Sequence, residues 1–261
     1  AAAACFALVV LTASAAQALS PSSFEVGAQI SHITYKEPGV MKESGEMYGV
    51  TGAYTGIGQQ VFWKIDGTLA TGTVDYTGAY SDGTPLTINN IRDHLFEARA
   101  VLGTSEFIGL TSYYLPYIGL GYRYLYDGAN IVSGGYRRES NYIYLPIGVE
   151  GFPWPGGEWQ IGLTFEYDLF VQGKQRSYLS DIDPGYNDIQ NDQSSGHGYR
   201  ASVKFVRPGK QPFVIEPFYK YWKIGESDIQ PITYYGAPTG FGAIEPANNS
   251  TEIGVKCIVR F

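Results

Sequence analysis

The feature that most limits the folds open to this chain is a period-two alternation of apolar and polar residues, running from Phe24 to Phe261. Such alternation describes a strand with two chemically different faces, whereas a helix repeats every 3.6 residues. The cleanest segment sets Trp159, Ile161, Leu163, Phe165, Tyr167 and Leu169 against Gln160, Gly162, Thr164, Glu166 and Asp168. The last segment sets Ile253, Val255, Cys257, Val259 and Phe261 against Gly254, Lys256, Ile258 and Arg260. Ten strands are predicted, near 24–36, 47–56, 60–77, 92–104, 113–127, 140–152, 158–171, 197–207, 212–224 and 250–261. Each has at least about ten residues, where an average globular strand has roughly five or six and a tilted membrane strand needs about 9 to 11.

The connections alternate in length. Short ones are expected at 56–60, 105–112, 152–158 and 207–212, and long ones at 36–46, 80–90, 127–140, 173–195 and 226–249. Short turns on one rim and long loops on the other describe a closed, antiparallel, up-and-down transmembrane β-barrel, all-β, with about ten strands and eight or twelve as the neighbouring even counts. An even count puts both ends of the barrel on one rim, expected to be the periplasmic one. The 16% charged content and 22 tyrosines suit an interfacial surface. A formal net charge of -7 argues against nucleic acid as a partner. Cys5 and Cys257 cannot build a disulfide framework, and no Cys/His cluster suggests a metal; no cofactor is expected.

Alternation alone does not say which face looks outward. The polar face carries charges of both signs: Glu97, Arg99, Arg123, Glu150, Glu166, Asp168, Arg200, Lys204, Glu216, Lys220, Lys256 and Arg260. Mixed signs can neutralise one another within a closed lumen. On the apolar face Tyr122, Tyr124, Trp159, Tyr167, Tyr219 and Tyr221 gather toward strand ends, where amphipathic rings form girdles at lipid headgroups. Backbone polar groups in hydrocarbon must all be paired, which strands achieve only by closing into a barrel. The apolar face is therefore expected to meet lipid. Residues 1–18, AAAACFALVVLTASAAQA, are apolar and end in the small-x-small pattern Ala16-Gln17-Ala18 of a cleaved export signal, leaving 19–261 as the barrel domain.

The export segment, the repeated dyads and the ending EIGVKCIVRF resemble those of bacterial outer-membrane β-barrel proteins, broadly the OmpA-like and opacity-type group. The resemblance implies an integral outer-membrane location and contact with outer-membrane lipid and lipopolysaccharide. It also implies that Ile253, Val255, Val259 and the terminal Phe261 form the signal read by the barrel-assembly machinery. Two functions fit: surface binding, adhesion or envelope structure through external loops over a charge-filled lumen, or a narrow passive channel.

An envelope hydrolase is the third reading and is disfavoured. Of the three histidines, His94 and His197 lack a Ser or carboxylate partner at strand spacing on the lumen face; His32 is the third. Omptin-like proteases resemble this chain in strand number and combine Asp-x-Asp with Asp-x-His. Here Asp181-Ile182-Asp183 supplies the first and nothing supplies the second, so no enzyme activity is expected. The acidic loop with Asp181, Asp183, Asp188 and Asp192 lacks EF-hand spacing and is read as solvated. Arg137 and Arg138 are the candidates for lipopolysaccharide phosphates.

Overall fold

The structure is a computed structural model that describes residues 22–261, with 59, 80–82, 109–111 and 155–157 left out. The expected export signal, 1–18, lies outside the described residues. The strands are β1 (Ser23–Glu37), β2 (Met41–Ile57), β3 (Val61–Ala79), β4 (Pro85–Thr104), β5 (Glu106–Ile108), β6 (Ser112–Gly128) and β7 (Arg137–Trp154). They continue as β8 (Gln160–Ser177), β9 (Ile189–Gln193), β10 (Gly196–Arg207), β11 (Phe213–Ile224), β12 (Ile229–Tyr234), β13 (Ala237–Ile244) and β14 (Asn248–Arg260). Ten of these form a closed antiparallel barrel. Each neighbour in sequence pairs with the next, β8 pairs with β10, and β14 closes on β1 from Glu25↔Arg260 to Lys36↔Asn249. At that seam the Phe24 and Phe261 amides donate to each other's carbonyls at 3.0 and 2.8 Å. β5 extends the pairing of β6, β9 extends that of β8, and β12–β13 is a separate hairpin.

The faces divide as the alternation requires. Phe165 and Ile253 are 58% exposed on the outside, while their neighbours Glu166 and Glu252 are 5% and 2% exposed within. On β3 the outward residues Val61, Trp63, Ile65, Gly67 and Leu69 are apolar or small, and Thr71, Thr73, Asp75 and Thr77 continue the same face as polar. The apolar run is about 27 Å along the strand and about 20 Å high once tilted, close to the roughly 25 Å apolar band of an outer-membrane barrel. Close strand approach needs glycine in places: a Cβ on Gly103 would lie 1.8 Å from the Pro116 carbonyl oxygen.

Two expected loops turned out to be strand. β1 and β2 stay paired to Glu37↔Met41 and join through Pro38-Gly39, with Gly39 at φ 79° and the Val40 amide donating to the Glu37 carbonyl at 2.9 Å. Proline at the second position and a positive-φ glycine at the third make a type II turn. β3 and β4 likewise reach Ala79↔Pro85. These strands stand above the apolar band, so their outward faces are polar (Lys42, Ser44, Glu46) and the apolar/polar contrast that marks a strand disappears there. The long connections are 178–195, which contains β9, and 225–247, which contains β12–β13.

Candidate functional site

The lumen is layered. Nearest the chain ends lie Phe62, Val101, Leu115 and Tyr117 beside Phe152, Val206, Val214 and Ile258. Toward the other rim lie Ile33, Met47, Ala70, Val74, Ile91 and Leu95 on one side, and Tyr142, Tyr144, Phe170, Trp222 and Ile224 on the other. Between the apolar layers, and at the chain-end rim for Arg260, sits a charge network containing all twelve lumen residues named from the sequence. Arg200 Nη1 donates to Glu97 at 2.8 Å, and its Nε reaches Asp168 at 2.6 Å and Glu166 at 2.9 Å. Arg99 bridges Glu166 at 2.6 Å and Asp66 at 2.9 Å. Lys220 meets Glu97 and Glu252 at 2.9 and 3.4 Å, Lys204 meets Glu150 at 2.6 Å, and Arg123 lies 4.0 Å from Glu252. Lys256 faces Glu216 at 3.8 Å, and Arg260 binds Glu25 at 2.5 Å.

Sequence reasoning missed four members of this network: Glu25, Lys64, Asp66 and Glu252. With them, among the described residues, eight acids (Glu25, Asp66, Glu97, Glu150, Glu166, Asp168, Glu216, Glu252) face eight bases (Lys64, Arg99, Arg123, Arg200, Lys204, Lys220, Lys256, Arg260). Buried charge is tolerated only when neutralised and hydrogen-bonded, and here the signs match. The cavities within the network are about 50 and 40 Å³, room for a few waters each.

Above the apolar band the balance breaks. Glu37, Glu43, Asp93, Asp127 and Glu245 are all 4% exposed or close to it, and Arg138 is the one inward cation among them in the described residues. Arg138 donates to Glu37 at 2.7 Å and to Glu245 at 2.5 Å, and the Tyr35 hydroxyl donates to Glu245 at 2.8 Å. Asp93 and Asp127 are direct partners across β4 and β6. Burial, and then the neighbouring Asp127, push Glu43 and Asp93 well above the usual carboxylate range; burial pushes Asp127 up to about 6. Among the described residues no group of carboxylates, histidines or cysteines is arranged to hold a metal ion.

The outer surface carries the six girdle aromatics on outward positions, with Trp159, Tyr167 and Tyr219 exposed. Ile253, Val255, Val259 and Phe261 lie on or beside β14 with outward side chains. Arg138 points inward and does not face lipid phosphates. Arg137 is held by Asp181 at 2.7 Å, a hydrogen bond that keeps the Asp181 carboxyl below its ordinary range. Asp188 accepts from Ser180 at 2.7 Å, and Asp183 from the Gly185 amide at 2.8 Å, so the acidic loop folds on itself. His94 lies against Tyr126 at 5.5 Å, and His197 between Tyr167 and Tyr199.

No known protein family and no characterised protein matches the sequence. Among solved structures, the chain is similar to the outer membrane protease OmpT from Escherichia coli, with a TM-score of 0.59 and 9% identity over 94% of this chain and 98% of that one. The chain has the closed antiparallel β-barrel fold of that outer-membrane protein. Alignments to the attachment invasion protein Ail of Yersinia pestis (TM-score 0.35, 13% identity, 92% of this chain and 97% of that one) and to Neisserial surface protein A (0.34, 13%, 93% and 100%) are too loose to carry an argument. At 9% identity the OmpT likeness shows the barrel fold and leaves chemistry to the residues of this barrel.

Proposed function

We propose that this barrel does not conduct and works by binding at the cell surface through its external hairpin. The observation that carries the reading is the stretch Ile229–Ile244, sixteen residues without a charge, which exposes Ile229, Tyr235 and Phe241 at 68, 78 and 76%. The hairpin is not a loose loop. Asn191 Nδ2 donates to the Asp228 and Ala243 carbonyls, the Thr233 amide donates to Asn187, and Glu245 anchors its exit in the mouth of the barrel. A rigid, solvent-exposed cluster of aromatic and aliphatic side chains is the composition of a recognition surface. The balanced network and the apolar layers at both ends of the lumen support a scaffold role for the barrel.

A Gram-negative host displaying the barrel should adhere or autoaggregate several-fold more than one displaying Tyr235→Ser/Phe241→Ser, with equal surface levels of each. Equal adhesion would remove the hairpin from the account. Steady open-channel current from the purified barrel in planar bilayers would replace this reading with the passive pore.

A further inference from the structure

On the outward faces of β1 and β2, register places Thr34 opposite Ser44 and His32 opposite Glu46. His32 Nδ1 lies 2.7 Å from Glu46 Oε1, and its Nε2 lies 3.0 Å from Ser44 Oγ. The Thr34 hydroxyl is 3.2 Å from Ser44 Oγ. A hydroxyl on one ring nitrogen and a carboxylate on the other is the spatial relation of nucleophile, base and orienting acid, recognised by geometry rather than by order in the chain. With Nδ1 protonated toward Glu46, Nε2 is the free acceptor for the Ser44 proton.

The position on the wall selects the substrate. Reading down the two strands, Lys36 opposite Lys42 comes first, then the Ser44, Thr34, His32 and Glu46 layers, then Ile30 opposite Tyr48, where the apolar band begins. Successive outward residues are about 7 Å apart along a strand. This order of cation, ester-reactive group and apolar wall parallels a phosphate-bearing lipid standing in the outer leaflet. Beside Tyr48 the wall is dented at Gly49 and Ala70 into an open groove of about 610 Å³, lined also by Val50, Leu69, Phe96 and Tyr124. The groove lies on β2, β3, β4 and β6, begins at Tyr48, the next outward residue after Glu46 on β2, and its mostly apolar lining has the chemistry to hold an acyl chain.

We propose that Ser44, His32 and Glu46 form a serine esterase site that removes a fatty acyl chain from a phosphate-bearing lipid of the outer leaflet. Ser44 Oγ attacks the ester carbonyl carbon while His32 Nε2 takes its proton and Glu46 holds the imidazolium. Thr34 is the nearby hydroxyl that donates to the developing oxyanion. The carbon–oxygen bond to the lipid alcohol then breaks, and Nε2 gives its proton to the leaving oxygen. Water attacks the acyl-serine and yields its proton to Nε2; the serine–acyl bond breaks, and the proton returns to Oγ. The sum is ester plus water giving alcohol plus fatty acid. Lys36 and Lys42 pair with the lipid phosphate. The proposal is independent of whether the lumen conducts.

The test uses the full barrel refolded in detergent and incubated separately with phosphatidylethanolamine vesicles and with purified lipopolysaccharide, with released fatty acid read by mass spectrometry. A fluorophosphonate probe reports on Ser44 directly. Release from either lipid is expected, and the lipid that is cut identifies the source. Ser44→Ala and Glu46→Gln, shown to be folded by heat-modifiable gel mobility, should each lower release by about ten-thousand-fold, with the adduct lost in Ser44→Ala. No release from either lipid together with no adduct overturns the proposal, as does full release by folded Ser44→Ala.

Discussion

Replacing Arg200 with methionine tests the lumen network at its most connected member. The guanidinium touches Glu97, Glu166 and Asp168, and lies 5.2 and 5.9 Å from the rings of Tyr144 and Trp222. The three acids do not lose equally. Glu97 keeps Lys220 at 2.9 Å, and Glu166 keeps Arg99 at 2.6 Å and the Tyr117 hydroxyl at 2.7 Å. Asp168, fully buried and with Oδ1 already unpaired, keeps no cation. Removing one partner of a buried ion pair costs about 3–5 kcal/mol, chiefly through the charge left behind. Arg200→Met should therefore destabilise by about that amount, and adding Asp168→Asn should recover roughly 2 kcal/mol by removing the stranded charge. Urea unfolding of the lipid-reconstituted barrel, followed by tryptophan fluorescence, measures both, and Trp222 lies inside the affected layer. A loss below about 1 kcal/mol for Arg200→Met would refute the reasoning. So would Asp168→Asn proving as harmful in the Arg200→Met background as in the wild type.

Two further expectations concern the mouth above the apolar band. Asp127 titrates near 6 in the folded barrel, above its ordinary value near 3.9, so the fold holds more protons than the unfolded chain between those values. The contribution is fully present below about pH 4 and is lost as pH rises through about 6. The wild type should therefore lose stability relative to Asp127→Asn over that interval in urea titrations, and a constant difference would contradict it. Arg138→Met should release Glu245 and the β12–β13 hairpin, raising limited proteolysis within 225–247 about tenfold while the barrel stays resistant; unchanged cleavage would show that Arg138 does not hold the hairpin.

The barrel was legible in the sequence because a strand between lipid and a charged lumen must alternate, and Trp159–Leu169 does so without a break. Inward charge was legible for the same reason. Pairing was not: Arg200 meets Glu97 across a separation of 103 residues, fixed by how the closed sheet is staggered. Lys64, Asp66 and Glu25 were missed although apolar Trp63, Ile65, Phe24 and Val26 flank them, because their own inward face also carries Phe62, Ala70 and Gly27, which weakens the contrast. Strand above the membrane was missed because both faces there carry polar residues, although Pro38-Gly39 marked the turn. His32, Ser44 and Glu46 come together only through the register that this turn sets.

On the proposed non-conducting reading, the two greasy layers in the lumen act as locks in series. Trimming one side chain from either leaves the other shut, and trimming a charged residue between them strands its partner. If that reading holds, widening the passage needs coordinated losses at both ends, each costing stability before any ion could cross.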